Sequence, residues 1–262
     1  MGSDVSNFSA EWLALRESAD MAARAPELIA RVVQWSGLHA HISVVDLGAG
    51  TGSCLRALAP RILTRQTWRL VDHSGALLAA ANTHLAAWAA LRGLSVHKGL
   101  SCLRAEGENA DYKIIFEERD LAEDLNNIAP VVDLVTASAL LDLVSADWCR
   151  DLAGWCSMTG ANLYACLNYD GHFCFTPPHP DDVAVCDVIK RHQRNDKGLG
   201  PALGSGAVGV LLNELAAVGY KHLTAPSPWL LDPSSSALQA ALVRDWSELA
   251  KDESRANAEK AL

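Results

Sequence analysis

Residues 44–52 constrain the fold of this chain more than any other stretch, because a buried strand there runs directly into three glycines at alternate positions. The apolar run from Ile42 to Leu47 predicts the strand, and residues 48–52 read Gly-Ala-Gly-Thr-Gly. Glycines at this spacing let the backbone turn tightly and approach a ligand where any Cβ would collide. The next residues predict a helix whose free N–H groups point at the ligand. The pattern indicates a cofactor of the nucleotide type.

The residue two places before the first glycine separates the two ligand classes that use such a turn, and here it is Asp46. A dinucleotide places its phosphates against the turn, where a carboxylate adds repulsion, and its fingerprint asks for glycine or alanine where this chain has Ser53. A cofactor with a cationic amino acid end would instead gain a charge-assisted hydrogen bond from its ammonium group to Asp46. S-adenosylmethionine is such a cofactor.

Side chains suited to binding the ribose and adenine of such a cofactor also follow the next strands of the predicted core. The second strand ends at Asp72, about 20 residues beyond the last glycine, where a doubly wound fold places an acid on the ribose hydroxyls. The third leads to Asp120 and Leu121, a carboxylate for an adenine amino group and an apolar neighbour for the ring. The fourth ends in Ser138 and Ala139. Four strand ends in chain order therefore carry polar chemistry.

Over roughly residues 40–170, these motifs resemble class I S-adenosylmethionine-dependent methyltransferases. The glycine-rich motif is specific, whereas the others carry weight only in their order. The resemblance implies a doubly wound α/β fold, with a seven-stranded, mostly parallel sheet and helices on both faces. It also implies S-adenosylmethionine as the cofactor and S-adenosylhomocysteine as its product. The residues expected to bind the cofactor are Arg24, Asp46, Gly48, Ala49, Gly50, Gly52, Asp72, His73, Asp120, Leu121, Ser138 and Ala139.

Composition limits the classes of partner. The 262 residues, half of them apolar, suit one large domain. A net charge of −9 opposes nucleic-acid binding, because phosphate contacts require Lys and Arg. The sequence lacks both an apolar run long enough to span a membrane and the features of a signal peptide, so we expect a cytoplasmic protein with no membrane partner. The oligomeric state stays open.

The cysteines and histidines give no sign of a metal site. The seven cysteines include no C-x-x-C pair, and they read as small apolar residues of a core. The nine histidines are scattered along the chain. We therefore expect no metal ligands.

Further elements are predicted on both sides of the core. Two helices, over residues 9–24 and 26–36, precede the sheet, and in the resembled family such a pair caps the cofactor pocket. Arg16 and Arg24 on the first helix either reach the cofactor's carboxylate or belong to a solvated helix face. A hairpin on the third strand is predicted from the extended runs 100–104 and 112–117. Residues 220–227 predict a sixth strand, and residues 229–231 are a candidate for a seventh.

The chain is expected to form a single domain in four parts. Residues 1–40 form an N-terminal helical cap, and residues 41–170 the cofactor-binding core, which ends with a predicted fifth strand over residues 161–167. Residues 171–206 form a helical insertion after that strand, and residues 207–262 the C-terminal part of the fold. The insertion ends in a dense basic stretch bounded by glycines. Such a stretch is either a lid over the substrate or a solvated helix end.

The methyl acceptor is expected beyond the carboxyl ends of the strands, where open α/β sheets bind ligands. His172 is the first candidate for a general base, His192 the second, and Tyr169 is a candidate for an orienting role in catalysis. Asp142, Asn168, Arg194 and Lys197 are the candidates for substrate binding. The basic pair would suit a carboxylate or a phosphate on the acceptor.

The sequence therefore predicts methyl transfer from S-adenosylmethionine to an oxygen or nitrogen of a small, acidic or polar metabolite. Three alternatives remain: a protein or peptide methyltransferase, an NAD(P)-dependent oxidoreductase, and a noncatalytic cofactor-binding subunit. Asp46 and Ser53 count against the oxidoreductase. The acceptor itself is not readable from the sequence.

Overall fold

A computed structural model describes residues 8–122, 125, 128, 129 and 131–260 of the chain. Within them, seven strands form one sheet in the order β3-β4-β5-β2-β1-β6-β7. The strands are β1 (His41–Leu47), β2 (Arg65–Asp72), β3 (Ser95–Lys98), β4 (Cys102–Gly107), β5 (Ala110–Glu118), β6 (Leu134–Ser138) and β7 (Asn162–Cys166). The predicted mostly parallel sheet is confirmed.

The five strands from β5 to β7 are parallel, and β1 lies at their centre between β2 and β6. Val44, Val45 and Leu47 of β1 are fully buried because helices cover both faces of the sheet. Parallel strands end at the same edge. The carboxyl ends of β1, β2, β5, β6 and β7 therefore bring distant parts of the sequence together there.

On the side of β5 away from β2, the strands of the sheet are antiparallel. β4 and β5 form a hairpin through residues 107–110, and β3 pairs with the outer side of β4. The predicted hairpin on the third core strand is confirmed. The additional strand β3 is short and exposed along most of its length, as is common for edge strands.

Helices cover the sheet on both faces. They are α1 (Ala10–Ala23), α2 (Pro26–Ser36), α3 (Ser53–Leu58), α4 (Gly75–Leu91), α5 (Ala146–Thr159), α6 (Asp182–Gln193), α7 (Ala207–Ala217) and α8 (Ser236–Lys260). Ser9, Ser74 and Ser145 begin three of them by accepting a backbone N–H, which satisfies one of the free donors at each N-terminus. The predicted helical cap is α1 and α2, and the predicted helical insertion contains α6.

The predicted sixth and seventh strands are wrong. Residues 220–232 contain no regular secondary structure, and the sheet ends at β7. Pro226 and Pro228 explain the difference, because each lacks the N–H that a strand donates to its neighbour. Tyr220 instead ties the segment to the core, since its hydroxyl donates to the carbonyl oxygens of Cys156 and Ala161.

Two negative results apply to the described part of the chain. None of its helices combines the length and the apolar character that crossing a bilayer requires. It also contains no group of three or more His, Cys, Asp or Glu side chains placed to hold a metal ion.

Candidate functional site

The glycine turn after β1 has a backbone that only glycine adopts readily. Gly48, Gly50 and Gly52 have φ angles of 63°, 53° and 80°, in the left-handed region. A Cβ on Gly50 would lie 2.9 Å from Leu13 Cδ1 of α1, and one on Gly52 would lie 3.0 Å from Leu85 Cδ1 of α4. Any side chain at these two positions would therefore both strain the turn and collide with a packed helix.

The Asp46 carboxylate lies at the end of β1 and has one oxygen without a partner. Its side chain is 1% exposed. Oδ1 accepts a hydrogen bond of 2.6 Å from Thr136 Oγ1, whereas the buried Oδ2 has no hydrogen-bond partner among the described residues. Burial, followed by the nearby Cys54, raises the pKa of Asp46 well above its ordinary value. Oδ2 therefore favours a ligand that brings a donor or a positive charge.

Arg24 provides the opposite charge at the same edge. It follows α1 and is 3% exposed. Both terminal nitrogens donate to Ser138 Oγ at 3.3 Å, and Nη1 also lies 2.7 Å from Cys166 Sγ. Within the described part of the chain, no carboxylate forms an ion pair with Arg24, and its buried Nε has no partner. Burial opposes the charge, but the sulfurs of Cys54 and Cys166 outweigh it and raise the pKa of Arg24.

Asp46 and Arg24 are thus a buried acid and a buried base at the same edge of the sheet, and the described residues include no salt bridge between them. Each retains one polar atom with no partner in that same part of the chain. Charges are rarely buried without a partner, because the loss of hydration is unfavourable. A ligand with an ammonium group and a carboxylate close together, such as the amino acid end of S-adenosylmethionine, would satisfy both.

Asp72 supports the glycine turn from the end of β2. Its Oδ2 accepts from the Gly50 N–H at 2.8 Å, and its Oδ1 accepts from the Ser74 N–H at 2.9 Å. Each carboxylate oxygen retains a second lone pair, so the predicted contact with ribose hydroxyls is compatible with these bonds. His73 is 58% exposed beside Asp72. An open depression next to it is lined by His73, Glu118, Arg119 and Asp120.

The remaining predicted cofactor residues differ in accessibility. Asp120 is exposed and accepts from the Ala122 N–H at 2.8 Å. Leu121 is buried, and its carbonyl oxygen accepts from the Trp148 indole at 2.8 Å. Ala139, directly after β6, has a φ of 52°, which is uncommon for a residue with a side chain. Ala49 is buried within the turn, and its N–H donates to the Val71 carbonyl oxygen at 3.0 Å.

Asp142, Asn168 and Tyr169 lie together beyond the ends of β6 and β7. Asp142 is in a short 3₁₀ turn (Leu141–Leu143) and accepts a hydrogen bond from the Tyr169 backbone N–H. Burial raises the pKa of Asp142 despite this bond and the nearby positive charge of Arg16. Asn168 Oδ1 and the Tyr169 hydroxyl are buried without partners among the described residues. These polar groups therefore form a second set with unused hydrogen-bonding capacity.

The predicted catalytic histidines have different environments. The His172 side chain is 88% exposed and lies 3.7 Å from Asp170. His192, in the last turn of α6, is partly buried, and burial together with the charge of Lys197 lowers its pKa. Arg194 is exposed, whereas Lys197 is partly buried and its pKa is lowered for that reason. Of these four side chains, the structure brings His192 and Lys197 together.

Arg16, the other arginine considered for the cofactor, has partners within the protein. Its guanidinium donates to Asp20 at 2.8 and 3.1 Å and lies 4.8 Å from the centre of the Trp229 ring. The Trp229 indole also donates to Asp20, at 3.0 Å. Arg16 thereby joins α1 to the segment that precedes α8.

Sequence reasoning missed three residues that contact the charged pair: Thr136, Cys54 and Cys166. Thr136 is opposite Asp46 in the pairing of β1 with β6, and Cys166 is opposite Ser138 in the pairing of β6 with β7. A register drawn through the predicted strands would have identified both. Cys54 was expected only as one of the small apolar residues of the core, and its contact with Arg24, at 3.9 Å, depends on a residue 30 positions away.

Of three comparisons with known proteins, one finds similar proteins. No protein-family model matches the sequence, and no curated protein sequence matches it significantly. Solved structures do match. One from Methanococcus maripaludis has a TM-score of 0.48 and 12% identity, over 87% of this chain and 91% of that one. One from Aquifex aeolicus has a TM-score of 0.47 and 14% identity, over 84% and 94% of the two chains.

Both of these proteins are named as S-adenosylmethionine-dependent methyltransferases. This chain resembles them in fold. Human N-acetylserotonin methyltransferase, solved in complex with S-adenosylmethionine, also matches, with a TM-score of 0.42 and 13% identity, over 82% of this chain and 48% of the human protein. The assignment of cofactor and reaction below therefore depends on the geometry of the site.

Proposed function

We propose that this protein transfers a methyl group from S-adenosylmethionine to an oxygen or nitrogen of a small polar molecule. One observation carries the proposal: the Asp46 carboxylate and the Arg24 guanidinium are buried beside the glycine turn, and each retains an atom without a partner in the described chain. Their charges match those of an amino acid end. When bound, the cofactor supplies a methyl group on a sulfonium, which is already activated for transfer.

The protein's own groups fit each part of this cofactor. Asp46 Oδ2 would accept from the ammonium group, and Arg24 would donate to the carboxylate in place of its contacts with Ser138 and Cys166. The left-handed turn at Gly48 and Gly50 leaves the backbone accessible to the sugar, and Asp72 would accept from the ribose hydroxyls. A pyrophosphate, by contrast, would place its negative charge beside Asp46.

The raised pKa of Asp46 adds a testable property to this binding mode. Burial favours the protonated carboxyl, whereas an ammonium group beside Oδ2 favours the ionised form. Cofactor binding would therefore release a proton at any pH where free Asp46 is protonated. Affinity should rise with pH through the pKa of Asp46 in the free protein. Calorimetric titration in buffers of different ionisation enthalpy measures the number of protons released.

The acceptor would lie against Asp142, Asn168, Tyr169 and His192. Asp142 is held by the Tyr169 N–H, and Asn168 and Tyr169 offer buried polar atoms with no partner in the described chain. His192 suits a general base better than His172, because it is partly buried and its lowered pKa leaves the ring neutral at physiological pH. The nucleophile must be held in line with the methyl group, which is the main task of such a site.

Lys197 and Arg194 favour an acidic acceptor within this class. Lys197 is partly buried and its charge acts on His192, and Arg194 directly follows α6, so both cations lie in the segment proposed to face the acceptor. An acidic peptide segment would satisfy the same cations. The peptide therefore remains the second candidate acceptor.

Binding experiments test the cofactor. S-adenosylhomocysteine should raise the melting temperature, and NAD at the same concentration should leave it unchanged. The reverse result would support an oxidoreductase and overturn the proposal. Incubation with labelled S-adenosylmethionine and fractionated small-molecule and protein pools then tests transfer. Label in a protein fraction would support the peptide acceptor, and binding without transfer to any fraction would support a noncatalytic subunit.

A further inference from the structure

Two cysteines from different elements flank the Arg24 guanidinium at the carboxyl edge of the sheet. Cys166 ends β7, and Cys54 is in the first turn of α3. Arg24 Nη1 lies 2.7 Å from Cys166 Sγ and 3.9 Å from Cys54 Sγ. The Ser138 hydroxyl lies 3.2 Å from Cys166 Sγ. Both cysteines belong to the buried core, and their two sulfurs share one cation.

The surrounding groups give the two thiols opposite characters. The hydrogen bond from Cys54 and the charge of Arg24 lower the pKa of Cys166 to about 7, although burial opposes this effect. The same hydrogen bond, together with burial, raises the pKa of Cys54 well above its ordinary value. Because the thiolate is the reactive form, Cys166 is the nucleophile and Cys54 is a protonated thiol beside it.

We propose that Cys54 and Cys166 form a thiol pair that hydroperoxides oxidise to a disulfide beside the carboxylate anchor of the cofactor pocket. The Cys166 sulfur attacks one peroxide oxygen, the O–O bond breaks, and hydroxide leaves, which gives a sulfenic acid. The Cys54 sulfur then attacks the Cys166 sulfur, an S–S bond forms, and water leaves with the Cys54 proton. Two electrons pass from the thiols to hydrogen peroxide, which is reduced to water and hydroxide.

The effect of this oxidation on the cofactor rests on the proposed function. A disulfide fixes the start of α3, two residues after Gly52, to the end of β7. We expect this constraint to outweigh the gain that Arg24 makes when it loses the competing thiolate charge. The glycine turn and Arg24 then lose their freedom to adjust to a ligand. We expect the affinity for S-adenosylhomocysteine to fall at least tenfold after oxidation and to return after reduction with dithiothreitol.

Peptide mapping of the intact protein tests the chemistry without any cofactor. After treatment of the folded protein with hydrogen peroxide at pH 7.5, mass spectrometry should find the peptide of Cys54 linked to that of Cys166. In Cys54→Ser, dimedone should trap a sulfenic acid on Cys166. In Cys166→Ser, Cys54 should remain a free thiol. The control Cys174→Ser removes an exposed cysteine and should leave the linked pair unchanged.

Distinct results would overturn the two parts of this inference. Oxidation of Cys174 with no Cys54–Cys166 link in the wild-type protein would overturn the thiol pair. An unchanged affinity for S-adenosylhomocysteine after complete oxidation would overturn its coupling to the cofactor. If the reduced protein binds no S-adenosylhomocysteine, the proposed function fails, while the linked peptides remain a valid test of the pair.

Discussion

The two polar regions at the carboxyl edge of the sheet are built differently. In the proposed cofactor region, Asp46 and Ser138 lie at the ends of adjacent parallel strands and Arg24 lies between α1 and α2. All three form hydrogen bonds with other residues of the protein. In the acceptor region, Arg194 and His172 belong to the insertion and are exposed. A charged residue at a strand end is held in place by the sheet, whereas the charged residues of the long insertion are exposed to solvent. The first region therefore specifies a ligand more narrowly than the second.

Among the variants considered, removing the Arg24 charge should have the largest effect on ligand affinity. In Arg24→Met, two charge-assisted hydrogen bonds to the cofactor's carboxylate are lost, which at about 2 kcal/mol each weakens S-adenosylhomocysteine binding by roughly 10³-fold. The nucleoside 5′-methylthioadenosine, which lacks the amino acid end, should bind as it does to the wild type. Calorimetric titration of both ligands measures the two affinities.

Arg61→Met is the matched control for that substitution. The Arg61 guanidinium donates to the Ala57 carbonyl oxygen near the end of α3, away from the glycine turn. Its loss should leave both affinities within about twofold. An equal loss of affinity for both ligands in Arg24→Met would show that Arg24 supports the fold of the pocket and does not hold a carboxylate.

The two histidines of the acceptor region provide the next test. If His192 is the general base, His192→Gln should lower the rate of transfer by about 10²-fold, while His172→Gln leaves it nearly unchanged. The rate should fall as pH drops through the pKa of His192, which burial and the charge of Lys197 lower from the ordinary value of histidine. Removing the Lys197 charge in Lys197→Met should move that fall toward higher pH. The reverse ranking of the two histidine variants would assign the base to His172.

Replacing the two cations of the insertion should have a smaller effect. In Arg194→Ala/Lys197→Ala, the KM for an anionic acceptor should rise about tenfold, the size expected for partly solvated charge contacts. The affinity for S-adenosylhomocysteine should stay nearly constant, which keeps this variant distinct from Arg24→Met. If both quantities change together, the insertion contacts the cofactor and the contrast between the two regions fails.

The smallest effect concerns stability without any ligand. Burial raises the pKa of Asp46 in the folded state, so the native protein binds a proton that the unfolded chain releases. The unfolding free energy should therefore decrease as pH rises from the ordinary carboxyl range, about 4, through the folded-state pKa. Asp46→Asn should lack this decrease, and its free energy of unfolding should be about 1 kcal/mol higher than that of the wild type at neutral pH. Thermal unfolding across pH, with Asp133→Asn as the control, measures it.

Asp133 is a suitable control because it is an acid that directly precedes β6, at the amino ends of the parallel strands. Its Oδ2 accepts from the Ser43 N–H at 2.7 Å, and it is only partly buried. Its replacement should destabilise the protein without removing the pH dependence. If Asp46→Asn keeps the wild-type dependence, then another group carries it.

Local patterns predicted much of this molecule. The alternation of strands and helices, the turn at Gly48–Gly52 and the hairpin before Asp120 depend on neighbouring residues, so their order could be read directly. The prediction of a sixth strand failed because Pro226 and Pro228 lack the N–H donors that pairing requires. In the acceptor region, spacing along the chain could not indicate that His192 is partly buried and His172 exposed.

The sequence by itself determined the glycine turn and the acids that end β1 and β2, because φ preferences and strand periodicity act between residues that are close along the chain. Only the tertiary structure decided which arginine and which two of the seven cysteines meet at that edge. Arg24 reaches Ser138 and Cys166 across separations of 114 and 142 residues. Such contacts, and the burial that shifts their pKa values, arise from the packing of α1 against the sheet, which no local pattern encodes.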